Sequence, residues 1–311
     1  MHRPRLGRRS VLLAATAVAG VAAGQPLGRT AAALVPAGGL TAMCRHIGGF
    51  EISPLLDASG PFFLSRQEAF PAATDQDWEA ARGVDPAAFG EGDAWELDFR
   101  CFVIRGPGDR LIVVDTGVGP DGSPAAAWAP TPGVLPSELQ RAGIDVADVD
   151  TVVLTHLHED HYGWSVGPDG VPMFPNARYV VQAREVEALP DGDSALAYVV
   201  DPLRQAGQLD TFGGAAPLVA GTRSGRVSLV PTPGHTPGHQ SVVIEHRDRQ
   251  MIVTGDVLVH AVQLVDPDVG YRFEADPEVA RRTRRALLGR ARGRRATLAT
   301  AHLGRPYVDL V

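Results

Sequence analysis

Cysteine is nearly absent from this chain of 311 residues: only Cys44 and Cys101 occur. Two thiols cannot build a disulfide-rich scaffold, so the pair either forms one bridge or serves as two small buried hydrophobes. No cysteine follows position 101, which leaves no late thiolate for a metal. An internal repeat and a sustained heptad are also missing, which excludes a solenoid and a long coiled coil. The apolar run Val11 to Gly24 is shorter than the roughly 20 residues that a membrane-spanning helix needs. Positive charge is in deficit, with 29 basic against 36 acidic residues and a net charge of −7. Such a chain is a poor partner for nucleic acid or an anionic membrane surface.

Residues 1–33 read as a signal peptide: basic "RPRLGRRS", apolar "VLLAATAVAGVAAG", then small residues in "TAAA". Arg8-Arg9-Ser10-Val11-Leu12 resembles the twin-arginine export signal of bacteria. No cysteine closes this leader, which disfavours a lipoprotein. The expectation is export to the cell envelope or beyond, with cleavage near Ala33 and no stable membrane anchor. Losing the leader removes five arginines and no acid, which leaves 24 basic against 36 acidic residues and a net charge of −12. Eight arginines cluster between Arg281 and Arg295. They fall on an expected helix with Asp276 as N-cap and Pro277 in the first turn, its apolar face made by Val279, Ala280, Thr283, Ala286 and Leu287. No aromatic residue interleaves them, so they read as a solvated face.

What remains is ordinary globular composition, 44% hydrophobic, with 35 glycines and 25 prolines marking many turns. "FRCFVIRG" and "RLIVVDTG" read as a hairpin turned by Gly106-Pro107-Gly108-Asp109. "LPSELQRAGI" reads as a helix with Ser137 as a cap. "VDTVVLT" (Val149 to Thr155) and "ARYVVQ" read as buried strands. "REVEALP" and "ALAYVVDPLRQAG" read as helical, the second interrupted by Pro202. "GRVSLVPTPGH", "QSVVIEHRD" and "RQMIVTGDV" are three successive strands. After the arginine-rich helix, "ATLATAHLG" is the last strand expected. Strands in two groups with helices between them fit a layered α/β fold. Residues 57–98, rich in Phe, Trp, Pro, Ala and Asp with no clean period, read as an excursion or lid.

Ten histidines occur in the chain, and three crowd into "HLHEDH" directly after an apolar strand. His156, His158, Asp160 and His161 combine imidazole with carboxylate, a mixture suited to zinc and similar ions. The same form recurs downstream: an apolar strand, a small residue, then a ligand-type side chain. "PTPGHTPGH" places His235 and His239, "IVTGD" places Asp256, and "LATAHLG" places His302. A lone His or Asp at such a position is usually a satisfied loop residue; four instances in this order are hard to reach by chance.

The spaced pattern His-x-His-x-Asp-His, Pro-Gly-His, Gly-Asp and a late His resembles the metallo-β-lactamase superfamily, from about Phe99 to His302. The resemblance implies a four-layer αβ/βα sandwich with its site at one edge of two facing sheets, filling residues 34–311. It implies two Zn²⁺ per chain, or other divalent ions. His156, His158 and His235 would hold the first, Asp160, His161 and His302 the second, and Asp256 would bridge them. "VVDTG" places Asp115 behind the ligands to orient one of them, and His239 takes a similar supporting role. The chemistry implied is hydrolysis, in which a hydroxide bridging the metals attacks a carbonyl or phosphoryl centre. Asp160 is also placed to accept a proton, and no Ser or Cys nucleophile is needed.

Within that superfamily, cysteine-ligand lactamases are disfavoured by the lack of a late cysteine. The subclass without a bridging carboxylate is disfavoured by Asp256, and the nucleases by the lack of a basic surface. "TPGHTPGHQS" is similar to the branch with quorum-sensing lactonases and methyl parathion hydrolase. "GDVLVHAVQLVDPDV" and "AHLGRP" lean toward the latter. Acyl-homoserine lactonases of the best-known type place a tyrosine three residues after the bridging aspartate. Here that residue is Val259, with Tyr162 and Tyr271 as replacements. Trp164, Phe62, Phe63 and Trp128 are candidate walls for an apolar acyl or aryl group. The expected substrate is a small ester or lactone, with a phosphotriester as the alternative. An iron-dependent oxidoreductase and a non-catalytic binding protein on this scaffold are the readings from other classes. Pairing through a sheet edge into a homodimer is a further expectation.

Overall fold

The computed structural model describes residues 43–310. The proposed leader, residues 1–33, lies outside the described residues. Among the described residues, thirteen strands form two sheets. The first runs in the order β1 (Arg45–Ile47), β2 (Phe50–Ser65), β3 (Ala94–Arg105), β4 (Leu111–Val114), β5 (Thr151–Val153), β6 (Arg178–Gln182) and β7 (Leu209–Phe212). The second runs β13 (Tyr307–Asp309), β12 (Thr297–Ala299), β11 (Arg249–Val253), β10 (Gln240–His246), β9 (Gly225–Pro231) and β8 (Ala216–Thr222). β1 to β4 are antiparallel neighbours, whereas β4, β5, β6 and β7 run parallel.

Strand alternation builds the layers, because successive side chains point to opposite faces. Phe102, Ile104, Ile112 and Val114 face inward and meet Val242, Ile244, Met251 and Val253 of the second sheet. The alternate residues Cys101, Val103, Leu111 and Val113 face outward and pack under the helix Leu135–Arg141. On the other side Val243 and Ile252 pack beneath the helix Pro277–Gly293 through Leu287, Leu288 and Ala291. The result is the four-layer αβ/βα sandwich expected from the sequence. No helix among the described residues is long and apolar enough to cross a membrane.

Several local readings need correction. Ser137 does not cap its helix: Val134 holds the cap position, without a side-chain bond, and Pro136 sits in the first turn. The second helical segment is interrupted as expected: the π-helix Leu196–Val200 passes directly into the α-helix Asp201–Gln205, with Pro202 in the first turn of the latter. "ATLATAHLG" is not the last strand, because β13 returns antiparallel to β12. Asp276 does cap the helix Pro277–Gly293, accepting from the Val279 N–H at 3.0 Å. Its arginines are not all solvated, though: Arg284 is buried and paired with Glu274 at 2.7 Å, while Ala286 is exposed. Cys44 and Cys101 form no disulfide; Cys101 lies in the core and the Cys44 thiol sits 3.0 Å from the Ser53 hydroxyl.

Residues 57–98 carry the ends of the β2–β3 hairpin, joined by two capped helices, Arg66–Ala69 and Asp75–Val84. Register shifts at Leu56/Ala58 and Pro61/Ser65 interrupt the alternation of β2, which is why no clean period is visible there.

Candidate metal centre

Every motif residue leaves the end of a strand on the same edge of the sandwich. β4 ends at Val114 and is followed by Asp115, whose φ of +59° lies in the left-handed region. That turn aims its carboxylate sideways under the next strand end. One oxygen accepts from the Thr155 N–H at 2.7 Å, and the other from the Thr155 hydroxyl at 2.8 Å and His161 Nδ1 at 2.9 Å. The Thr155 proton is thereby committed to Asp115. His156 Nδ1, 3.1 Å from the same hydroxyl oxygen, must then donate to it. His302 Nδ1 donates to the Asp98 carbonyl at 2.8 Å. In all three rings Nδ1 is engaged by an acceptor, which leaves Nε2 as the atom that faces the site, where a cation can take the place of a proton.

Those atoms converge. His158 Nδ1 lies 3.0 Å from His156 Nε2 and 2.9 Å from His235 Nε2. His302 Nε2 lies 3.2 Å from His161 Nε2. Asp256 stands between the clusters. Its Oδ1 is 3.3 Å from His161 Nε2 and 3.1 Å from His302 Nε2. Its Oδ2 is 3.2 Å from His235 Nε2 and 3.8 Å from His156 Nε2. Asp160 Oδ2 is 3.5 Å from both His161 Nε2 and His302 Nε2. Two ligand groups result, His156–His158–His235–Asp256 and Asp160–His161–His302, with the atoms of each within 4.8 Å of one another.

The electrostatics match a cation. Burial holds the His156 and His235 pKa values well below the usual histidine range, so both are neutral and fit to ligate. Burial also opposes charge on His161, but Asp256, Asp160 and Asp115 outweigh it and push its pKa well up. Asp256 is buried too, yet His302, His161 and His235 hold it ionised. Oδ1 of Asp256 and Nδ1 of His235 are buried with no hydrogen-bond partner among the described residues. Imidazole nitrogens around a buried carboxylate form a donor set that fits borderline divalent ions.

Groups behind the ligands hold the loops. His239 Nε2 accepts from the Asp256 N–H at 2.9 Å, and its Nδ1 lies 2.8 Å from the Thr232 hydroxyl. Gly255, at φ +51°, permits this approach, since a Cβ there would sit 2.6 Å from His239 Nε2. Two further residues escape the sequence reading. Glu185 accepts from the Leu157 N–H, the Thr236 hydroxyl and the Gly238 N–H at 2.8–2.9 Å, and so joins the first histidine loop to the second. Asp57 accepts from the Val118 and Leu135 N–H groups and from Trp164 Nε1. Both are charges adjoining or interrupting an apolar run, the one signal that could have marked them.

Above the ligands opens a cavity of about 220 Å³, lined by Phe62, Phe63, Trp95, Trp128, Tyr271 and Phe273 together with Leu97, Glu159 and Val259. Phe62, Phe63 and Trp128 take the wall positions expected for them. Trp164 does not, because its indole turns away to Asp57. Tyr162 is buried in the core of the first sheet and is also excluded from the cavity. Trp95 and Phe273 are walls that the sequence reading missed.

The family model of the metallo-beta-lactamase superfamily matches residues 100–302. The chain belongs to the metallo-beta-lactamase superfamily. Among superfamily relatives, N-acyl homoserine lactonase AttM of Azorhizobium caulinodans is 32% identical over 122 residues, 35% of this chain and 40% of that one. AttM of Rhizobium radiobacter is 28% identical over 176 residues, 50% of this chain and 62% of that one. The chain thus matches 40% to 62% of the length of these relatives. The solved structure of hydrolase AbOPH, in the beta lactamase superfamily, superposes with a TM-score of 0.70 at 25% identity, covering 86% of this chain and 91% of that one. AidC, a dizinc quorum-quenching lactonase solved with its product, shares the fold at a TM-score of 0.68 and 19% identity, covering 86% of this chain and 92% of that one.

Proposed function

We propose that this chain is a dinuclear-metal hydrolase of carboxylic esters or lactones. The observation that carries this is Asp256, whose two oxygens face the two ligand groups from opposite sides. In this reading His156, His158 and His235 would hold one zinc ion, Asp160, His161 and His302 would hold a second, and Asp256 lies between the two groups. Two such ions supply an activated water nucleophile and polarise the attacked oxygen. The chain's own residues do the rest. Asp115 keeps His161 in the tautomer that leaves Nε2 free. Asp160, which lines the cavity, takes the proton of the attacking water on its carboxylate and passes it to the departing alkoxide as the C–O bond breaks. The aromatic walls exclude water and seat an apolar acyl or aryl group.

The relatives named N-acyl homoserine lactonase support a carbonyl centre. The aromatic walls also suit a phosphotriester with an aryl leaving group, which is the second reading. We place the activity outside the cytoplasm on the strength of the twin-arginine leader. Elemental analysis of the purified protein, paired with hydrolysis of an aryl ester, a lactone and a phosphotriester, tests this. Two equivalents of zinc, with turnover lost on chelation and in His158→Ala, are expected. Iron in place of zinc without turnover of any of the three would sink the hydrolase reading.

A further inference from the structure

We propose that the hydroxyl of Tyr271 donates a hydrogen bond to the attacked oxygen of the substrate, an assignment that rests on the hydrolase reading above. The chain has five tyrosines, and four have a polar partner for the hydroxyl. Tyr179 donates to the Ser165 carbonyl at 2.8 Å, Tyr198 to the Gly163 carbonyl at 2.9 Å and Tyr307 to the Ile52 carbonyl at 2.7 Å, while Tyr162 lies 3.4 Å from the Ser194 hydroxyl. Tyr271 is the fifth. Its hydroxyl has no hydrogen-bond partner among the described residues, and the side chain lines the cavity over the ligand groups.

The ring itself is held on several sides. It stacks on His235 with centroids 6.0 Å apart and planes 15° apart. Phe70 lies at 5.3 Å, Phe273 at 5.5 Å and Trp95 at 6.0 Å. The loop that carries it is fixed from behind. Arg284 bonds Glu274 at 2.7 Å, the Pro267 carbonyl at 2.9 Å and the Val269 carbonyl at 3.0 Å. A donor this immobile loses little entropy in meeting a substrate oxygen, and it needs no reorganisation when charge develops there.

Position and chemistry agree. A phenol of ordinary acidity keeps its proton near neutral pH, so the hydroxyl is a donor there. His158, Asp160, His235, Asp256 and His302 line the same cavity, so a substrate seated there meets Tyr271 and the ligand groups together. Val259, three residues after Asp256, offers the cavity only an apolar side chain. The attacked oxygen gains negative charge as the nucleophile adds, so a fixed donor favours the transition state over the ground state.

The test is Tyr271→Phe in the full chain with its metals, assayed on an aryl and an alkyl ester of the same acid. With metal content and melting temperature unchanged, kcat should fall about 10²-fold on both esters while KM hardly moves. Unchanged kcat would overturn the assignment. A loss confined to the alkyl ester would also overturn it, since that marks a donor to the leaving group. Calorimetry with an alkylphosphonate, which mimics the tetrahedral centre, reads the same contact without turnover. Affinity about 10-fold weaker in the variant supports the assignment, and equal affinity overturns it. A wild-type protein that binds the phosphonate but hydrolyses no ester sinks the hydrolase reading alone.

Discussion

His239 Nε2 accepts a hydrogen bond from the backbone N–H of Asp256 at 2.9 Å, so one histidine of "PGHTPGH" holds the carboxylate that the other faces. Burial lowers the His239 pKa to about 3, which keeps Nε2 an acceptor at any working pH. In His239→Ala the buried Asp256 N–H loses its partner, at a cost of about 1–3 kcal/mol. The loop would also lose its fixed aim. Metal affinity is expected to fall about 10- to 100-fold, read by chelator competition alongside thermal melting. A variant with wild-type metal affinity would reduce His239 to a packing residue.

Asp115 allows a cleaner cut. Its left-handed backbone suits asparagine nearly as well as aspartate, so Asp115→Asn perturbs the charge and the hydrogen bonds without straining the turn. The amide can no longer accept from Thr155 and His161 with both of its polar atoms. The His161 tautomer is then unguarded. The metal held by Asp160, His161 and His302 should weaken selectively, so one of two equivalents dialyses away while the other stays. Equal retention of both would show that Asp115 serves folding only.

Asp57 links the fold to pH. Burial raises its pKa from 3.8 to about 6, against hydrogen bonds from Leu135, Val118, Trp164 and Gly119 that favour the carboxylate. The folded value lies above the unfolded one, so the native state binds this proton more tightly and stability falls as pH rises from about 4 to about 6. The difference is on the order of 3 kcal/mol. Asp57→Asn should be less stable throughout, because its amide meets N–H donors. The wild-type advantage over it should shrink as pH climbs through that window. Urea denaturation of both proteins at pH 4, 5, 6 and 7 checks this; a gap independent of pH would refute it.

Legibility tracked how local each signal was. His156 and His158 lie in the loop after β5, Asp160 and His161 lie in the helical turn Glu159–Tyr162 that follows, and His235, Asp256 and His302 each follow an apolar strand, so pattern alone found them. Their grouping through Asp256 depends on two sheets facing each other, which no local pattern encodes. Asp57 and Glu185 bond loops 61 and 28 residues away, and neither bond leaves a trace in sequence spacing. The aromatic residues were hardest. Trp164 follows the histidine motif directly yet turns to Asp57, while Trp95 enters the cavity from a hairpin whose bulges hide its alternation. Arg284 looked like one more solvated arginine on its helix, and its burial is explained by Glu274 together with the backbone carbonyls of Val257, Pro267 and Val269.

The cavity mouth carries its own prediction. Phe63 is 56% exposed and Phe273 43%, with ring centroids 5.9 Å apart beside Phe62 and Trp128. Large apolar side chains left in water at the rim of an apolar cavity contribute little to stability but much to seating an apolar group. Phe63→Ser should therefore leave the melting temperature almost unchanged. Each methylene that it no longer covers weakens binding by up to about 0.8 kcal/mol. KM should rise more for a hexanoate ester than for an acetate, with kcat on acetate retained. A rise that is the same for both chain lengths would mean that Phe63 acts on the entry path and not on the acyl chain.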